Sequence, residues 1–237
     1  MTLTLPATIA VFDESAGLNP RGTLVVIAGR GEAAGVYERF GRRISADSWR
    51  VRVVAGAATD ASAAREQVLA ILASEDSPAP RVLVGSDAGA ALALGIATGH
   101  PEALDSVILA GLPTHAEQRA ANADPELRSA CPVHRKTLDN VDLIEADALA
   151  AALSSELALP EAATVAVPVL ALHGDADAVV PLDDALAYLR GLPDVTIATI
   201  RGGRHDVLND VSHRSVAATV ILFVEALKAG STIVETV

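Results

Sequence analysis

Cysteine and aromatic residues are scarce in this sequence of 237 residues. Cys131 is the only cysteine, so the chain cannot form an internal disulfide, and we expect this thiol to be structural and not a nucleophile. Phenylalanine, tyrosine and tryptophan together make up 3% of the residues. Any substrate pocket is therefore expected to be walled mainly by aliphatic side chains.

Basic residues and long apolar runs are also lacking. Lysine and arginine number 18 against 30 acidic residues, which gives a net charge of −12 and argues against nucleic acids and anionic membranes as partners. No uncharged stretch of about 18 residues predicts a membrane span, and residues 1–14 lack the pattern of a signal peptide. We therefore expect a cytoplasmic enzyme with a small-molecule substrate. The oligomeric state is left open.

Short apolar runs alternate with helical patterns along the chain, which is typical of an α/β protein with a doubly wound, mostly parallel sheet. The catalytic groups of such a sheet are expected at the carboxyl ends of its strands. The predicted strands are residues 8–12, 23–28, 50–54, 81–84, 106–110, 165–172 and 195–200. The predicted helices are residues 36–44, 60–75, 88–98 and 207–227, with Asp60 as an N-cap and Gly230 as a stop.

One segment breaks the alternation. Residues 114–160 contain no clear strand, and residues 142–157 carry leucine, alanine and acidic residues at helical spacing. We expect a small helical cap here, inserted within one domain that spans residues 1–237. No phosphate-binding loop follows the first strands and no cluster of metal ligands stands out, so we predict neither a cofactor nor a metal.

The sequence Gly85-Ser86-Asp87-Ala88-Gly89 joins a predicted strand to a predicted helix. A sharp strand–turn–helix connection of this kind needs small residues two positions before and after its central residue. This register makes Asp87 the central residue, because Ser86 would be flanked by Val84 and Ala88. An ordinary turn in which Asp87 caps the following helix is the simpler alternative.

This connection resembles the nucleophile elbow of the α/β hydrolases, whose chain order is nucleophile, acid, histidine. Residues 173–181 read HGDADAVVP and are similar to the family's acid-bearing strand end, which indicates Asp177 as the acid and Asp175 as the runner-up. His205 follows a predicted strand and two glycines, in the loop where the family keeps its catalytic histidine. The resemblance therefore predicts a triad of Asp87, Asp177 and His205.

Residues 24–40, LVVIAGRGEAAGVYERF, resemble the monoacylglycerol lipase and lysophospholipase branch of the same superfamily. Ala28 replaces the histidine of that branch's H-G-x-G-E motif. The residues that fit are Gly29, Arg30, Gly31, Glu32 and Tyr37. The resemblance implies an oxyanion hole made by the backbone amides of Arg30 and Ala88. Soluble epoxide hydrolases carry a related motif that Glu32 also fits.

An aspartate at the nucleophile position changes the expected chemistry. A carboxylate is ionised at neutral pH, but its attack on an ester would give a high-energy mixed anhydride. Attack on a saturated carbon gives an ordinary alkyl ester, which His205, oriented by Asp177, could hydrolyse with water. Epoxide hydrolases and haloalkane dehalogenases of this fold work in this way, and we predict a related hydrolase.

The group that receives the leaving charge decides between these two reactions. Haloalkane dehalogenases carry a tryptophan after the nucleophile, where this chain has Ala88, and Trp49 is expected in the core. Epoxide hydrolases use two cap tyrosines, and the insertion has none. An epoxide is therefore slightly favoured. Tyr37, His115 and His134 are alternative proton donors, and Glu32 is a further candidate substrate contact.

Three other functions stay open on the sequence. Asp87 could act as a general base in a cyclisation, elimination or lactone reaction of specialised metabolism. Ser86 could serve an ester hydrolase if the elbow were shifted by one residue. The chain could also bind a ligand without turnover, since a fold does not determine a function.

Overall fold

The computed structural model describes residues 9–114 and 123–235; His115 lies outside them. Seven strands form one sheet in the order β1-β3-β2-β4-β5-β6-β7. β1 is antiparallel to β3 and every other pair is parallel, as the sequence predicts. The strands are β1 (Ile9–Phe12), β2 (Thr23–Ile27), β3 (Arg50–Val54), β4 (Arg81–Ser86), β5 (Ser106–Ala110), β6 (Val169–Gly174) and β7 (Val195–Ile200).

Helices cover both faces of this sheet. They are α1 (Glu38–Ala46), α2 (Ala61–Ala73), α3 (Ala88–Gly99), α4 (Pro125–Arg128), α5 (Pro132–Leu138), α6 (Ala146–Ala150), α7 (Leu182–Leu189) and α8 (His213–Ala229). Every residue of β2, β5 and β6 is buried, as is every residue of β4 except Arg81, which explains why these strands are mainly apolar. Two hydrophobic clusters result, one with α2, α3 and α7 and the other with α1 and α8.

The register aligns the carboxyl ends of the central strands. Ile27 of β2 pairs with Gly85 of β4, and Ser86 pairs with Ala110 of β5. The loops after β2, β4, β6 and β7 therefore leave the same edge of the sheet, which is where the predicted site residues lie.

Two predicted boundaries were wrong. β6 begins at Val169 and not at residue 165, because a 3-10 turn at Ala162–Thr164 and Pro168 precede the strand. The last helix begins at His213, since residues 207–212 form turns. Gly230 ends that helix in a left-handed conformation with φ of 67°, and Asp60 caps α2 by accepting from the amide of Ala63, as predicted.

The leucine, alanine and acidic residues of 142–157 do not form one continuous helix. Only α6 and a short 3-10 turn at Ser155–Leu157 form there. Leu149 packs into the cluster with α1 and α8, whereas Leu157 packs into the cluster with α2 and α3. These two leucines would lie on the same face of a continuous helix, so the chain must break between them to bury both.

Residues 143–151 are bonded to the loop that follows β2. Glu32 forms an antiparallel bridge with Ile144, the amide of Glu145 donates to Gly31 at 2.8 Å, and the amide of Ala33 donates to Leu143 at 2.8 Å. A Cβ on Gly31 would lie 2.6 Å from the carbonyl oxygen of Glu145. Backbone therefore packs directly on backbone at this contact.

In the described part of the chain, none of the helices has the length and apolar character needed to cross a membrane.

Two glycines of α3 give opposite predictions for the same substitution. A Cβ at Gly89 would lie 2.1 Å from the carbonyl oxygen of Ile27, and a Cβ at Gly99 meets nothing within 4 Å. We expect Gly89→Ala to lower the free energy of unfolding by about 2 kcal/mol through overpacking against backbone. Gly99→Ala should raise it by about 0.5 kcal/mol by restricting the unfolded chain. Urea denaturation measures both, and equal effects would contradict the close strand–helix approach.

Candidate active site

Asp87 lies at the apex of the turn between β4 and α3. Its backbone has φ of 47° and ψ of −119°, a conformation that few residues other than glycine adopt. A Cβ on Gly85 would lie 2.3 Å from the Cα of Ala90, so the strand and the helix pass too closely for a larger residue. Ser86 is the last residue of β4. The structure thus places Asp87, and not Ser86, at the apex of this turn.

The Asp87 side chain makes no capping hydrogen bond to α3, so the simpler alternative of a helix cap does not describe it. Its carboxylate instead faces His205. The Nε2 atom of His205 lies 3.6 Å from Oδ1 of Asp87, and no hydrogen-bond partner is found for this atom among the described residues. The two side chains are therefore within ion-pair distance and close to hydrogen-bond distance.

Asp177 orients the imidazole from its other side. The Nδ1 atom of His205 lies 2.9 Å from Oδ2 of Asp177, and the amides of Val179 and Val180 donate to Oδ1 at 2.8 and 2.9 Å. Asp175, the runner-up, is exposed and accepts a hydrogen bond from the amide of Gly202. His205 thus lies between the carboxylates of Asp87 and Asp177, and Asp175 lies outside this group.

Arg30 has a contact that the sequence did not predict. Its Nη2 atom lies 2.7 Å from Oδ1 of Asp87 and its Nε atom lies 2.8 Å from Oδ2. The remaining nitrogen, Nη1, donates to the carbonyl oxygen of Ala151 at 3.0 Å. Both side chains are almost completely buried. The guanidinium therefore binds both carboxylate oxygens of Asp87 in a bidentate ion pair. The predicted oxyanion hole of the Arg30 and Ala88 amides stays a prediction.

These contacts shift the pKa values of Asp87 and His205 in opposite directions. Burial alone would raise the pKa of Asp87, but Arg30 and His205 hold it well below its usual range. Burial alone would lower the pKa of His205, but the carboxylates of Asp177 and Asp87 raise it to about 10. At neutral pH an imidazolium therefore lies between two carboxylates.

A second buried network adjoins the first. Arg128 binds Asp206 through Nη2 at 2.7 Å and Nε at 3.1 Å. The same Nη2 atom lies 3.6 Å from Glu32 and 3.7 Å from Oδ2 of Asp87. His134 also contacts Asp206, with Nε2 at 2.9 Å from Oδ2. His134, which the sequence analysis named as an alternative proton donor, is thus buried beside the site.

Glu32 and Tyr37 lie behind the loop that follows β2. One carboxylate oxygen of Glu32 accepts from the Gly29 amide at 3.1 Å and from the hydroxyl of Tyr37. Burial and the nearby charge of Asp206 raise the pKa of Glu32, while burial and Glu32 raise the pKa of Tyr37. The Tyr37 proton is therefore engaged by Glu32, which weakens Tyr37 as a donor to a substrate.

One group of side chains in the described ranges could hold a metal ion. Ligand atoms of Glu32, His134 and Asp206 lie within 4.8 Å of one another, a grouping that the sequence did not show. The guanidinium of Arg128 already lies 2.7 Å from Asp206 and 3.6 Å from Glu32. The protein thus supplies its own cation to these carboxylates.

Arg128 and Asp206 were missed in the sequence. Asp206 directly follows His205, and that position was the available signal for it. Arg128 lies in the insertion, and an isolated arginine in such a segment is typical of a surface residue.

In the core, Trp49 is fully buried, as expected, and its indole donates to Glu225 at 2.9 Å.

A double-mutant cycle measures the ion pair at the elbow. Arg30→Gln and Asp87→Asn each leave a buried charge unpaired, so each should lower the free energy of unfolding by about 3–5 kcal/mol. The double variant should be less destabilised than the sum, with a coupling energy of up to about 3 kcal/mol. The exposed pair of Arg42 and Glu38, 2.8 Å apart, is the control and should couple by about 0.5 kcal/mol. Equal coupling in both cycles would contradict the buried pair.

The pKa of His205 predicts a loss of stability in alkaline solution. Because the pKa rises from 6.5 to about 10 on folding, its stabilising effect is complete below about pH 6.5 and is lost as pH rises through 10. The stability difference between wild type and His205→Gln should shrink over this window, by at most about 1.4 kcal/mol per pH unit. His213→Gln is the control and should keep the alkaline loss. A pH-independent difference would contradict the imidazolium.

No protein-family model and no curated protein sequence matches the chain. Solved structures do match. The chain is similar to a monoacylglycerol lipase from Paleococcus ferrophilus, with a TM-score of 0.74 and 18% identity over 94% of this chain and 98% of that one. It is similar to MenH from S. aureus, with a TM-score of 0.71 and 15% identity over 93% and 99% of the two chains.

A third match is a soluble variant of monoglyceride lipase from Saccharomyces cerevisiae, with a TM-score of 0.72 and 14% identity over 92% of this chain and 91% of that one. These likenesses extend over nearly the whole of both chains, and the identities are too low to carry more than the architecture. Together with the parallel sheet and the turn at Asp87, they show that the chain has the α/β-hydrolase fold.

Proposed function

We propose that the chain is a hydrolase in which Asp87 forms an alkyl ester with its substrate and His205 activates the water that hydrolyses this ester. The proposal rests on one observation, the position of His205 between the carboxylates of Asp87 and Asp177. The Nε2 atom of His205 lies 3.6 Å from Asp87, and its Nδ1 atom lies 2.9 Å from Asp177. Many of the similar structures are named as lipases and esterases, which supports hydrolysis as the reaction type.

An epoxide is the favoured electrophile. In the first step an Asp87 oxygen attacks a ring carbon, the bond between that carbon and the ring oxygen breaks, and the resulting alkoxide takes a proton. His205 can supply this proton, because its pKa of about 10 keeps it protonated at neutral pH. Once Asp87 is an uncharged ester, one of the two carboxylates that stabilise the imidazolium is gone, so His205 is left neutral beside the ester.

Neutral His205 then acts as a base. It removes a proton from water, and the oxygen of that water bonds to Cγ of Asp87. The bond between Cγ and the alkyl oxygen breaks, and the departing diol takes the proton back from His205. The new carboxylic acid of Asp87 returns its proton to His205, which restores the resting ion pair.

The other electrophiles fit this site less well. Attack on an ester would convert Asp87 to a mixed anhydride. A halide substrate would lack a tryptophan partner, because this chain has Ala88 at the position where haloalkane dehalogenases carry tryptophan. Ester hydrolysis through Ser86 would require that residue at the apex of the turn, and it is the last residue of β4. General-base chemistry by Asp87 is disfavoured because its low pKa makes it a weak base.

One observation favours a second candidate, a protein that binds a ligand without turnover. Both oxygens of Asp87 are held by Arg30, and Asp87, Arg30 and His205 are each 1% exposed. If this pair never opens, Asp87 cannot attack. The two candidates therefore differ in whether Asp87 becomes covalently modified.

Oxygen labelling during a single turnover tests the proposal. With protein in excess over a terminal epoxide in ¹⁸O water, we expect the label in the Asp87 peptide, since water attacks Cγ of Asp87. Asp87→Asn and His205→Gln should lower turnover at least about a thousandfold, whereas Ser86→Ala should retain it. Mass spectrometry of the peptides and the diol provides the measurement.

Three outcomes would contradict this function. Label in the diol alone would mean that water attacks the substrate directly, with Asp87 as a general base. Ester turnover that survives Asp87→Ala and is lost in Ser86→Ala would restore the serine mechanism. Tight binding of a ligand with no label in Asp87 would establish the non-catalytic candidate.

A further inference from the structure

The ion pair between Arg30 and Asp87 opposes the attack that the proposed function requires. A carboxylate whose two oxygens accept charged hydrogen bonds at 2.7 and 2.8 Å is a weakened nucleophile, because the guanidinium stabilises its negative charge. An Asp87 oxygen becomes more reactive when its contact with Arg30 opens. The question is then what Arg30 binds while Asp87 reacts.

Arg30 cannot be left without an anion. Its side chain is 2% exposed, so water does not replace the carboxylate, and an unpaired buried charge is strongly destabilising. A neutral substrate would have to displace Asp87 and leave the guanidinium unpaired. A substrate with its own carboxylate would exchange one ion pair for another and keep the number of buried pairs constant.

The surrounding charges lead to the same requirement. Three cationic groups lie around the Asp87 carboxylate: Arg30 at 2.7 Å, protonated His205 at 3.6 Å and Arg128 at 3.7 Å. When Asp87 becomes an ester it loses its charge and His205 gives up its proton, so Arg30 and Arg128 are the cations left beside an uncharged ester. An anionic group on the substrate replaces that charge within the same buried space.

We propose that the substrate carries a carboxylate, and that this group takes the place of Asp87 on the Arg30 guanidinium and so frees Asp87 to react. The consequence for catalysis rests on the proposed function, but binding of the carboxylate does not. The Arg30 fork already holds a carboxylate in the structure, with Nη1 fixed by the carbonyl oxygen of Ala151 at 3.0 Å. The substrate class is therefore a small epoxy acid.

The first experiment removes the Asp87 carboxylate, which competes with an added carboxylate for the Arg30 guanidinium. In Asp87→Asn the guanidinium loses its partner, so propanoate should bind there and raise the melting temperature. We expect the half-effective propanoate concentration to be at least about tenfold lower than for wild type, and propanamide to have no comparable effect. Asp175→Asn, which removes an exposed aspartate, is the matched control and should respond as wild type does.

Charge and fork geometry are separated by two further variants. The double variant Asp87→Asn/Arg30→Gln should lose the response to propanoate, and Asp87→Asn/Arg30→Lys should keep only a weakened response, because lysine lacks the planar fork. The proposal is overturned if propanoate stabilises Asp87→Asn no more than propanamide does, or if the response survives Arg30→Gln.

The second experiment compares two epoxides that differ only in charge. With wild-type protein in ¹⁸O water, glycidate should label Asp87 with a kcat/KM at least about tenfold above that of glycidamide. Equal labelling, or faster labelling by glycidamide, would leave the function standing and overturn the substrate class. Selective propanoate binding with no labelling by either epoxide would leave the carboxylate site standing and overturn the function.

Discussion

The site is organised around the buried carboxylate of Asp87 and the cations that keep it charged. Removing an ion from water is strongly unfavourable, so a buried aspartate is tolerated only where opposite charges and hydrogen bonds replace its hydration. Arg30 supplies both hydrogen bonds, and His205 and Arg128 complete the surroundings. Each of these partners is in turn held by an acceptor: Ala151 for Arg30, Asp177 for His205 and Asp206 for Arg128. The charge at the elbow therefore determines the contacts of a wider group of residues.

Much of the sheet could be predicted from the sequence because its physical causes are local. β2, β4 and β5 each contain a continuous apolar run, and the glycines around Asp87 mark a place where a strand and a helix meet closely. Asp177 and His205 were indicated by the resemblance to the α/β hydrolases, whose acid and histidine follow strand ends in this chain order. Such features depend on neighbours in the sequence, and the structure bears out the architecture to which they belong.

The ion pairs could not be predicted in this way. Arg30 was expected to contribute only its backbone, and nothing near Arg128 in the sequence indicates that this arginine is completely buried. Their partners lie 57 and 78 residues away along the chain, so only the folded arrangement shows which charges meet. The same reason explains why residues 142–157 do not form one continuous helix, since two of their leucines pack on opposite faces of the sheet.

The contact between the loop after β2 and the insertion has a consequence for how the site opens. Gly31 and Ala33 share backbone hydrogen bonds with Glu145 and Leu143, and Arg30 reaches past them to Ala151. No side-chain rotation can separate these segments, because backbone rather than side chains forms the contact. A displacement of residues 143–151 that keeps these hydrogen bonds would also move the loop that carries Arg30. The contacts of the Asp87 carboxylate are thus linked to the position of residues 143–151 through Arg30.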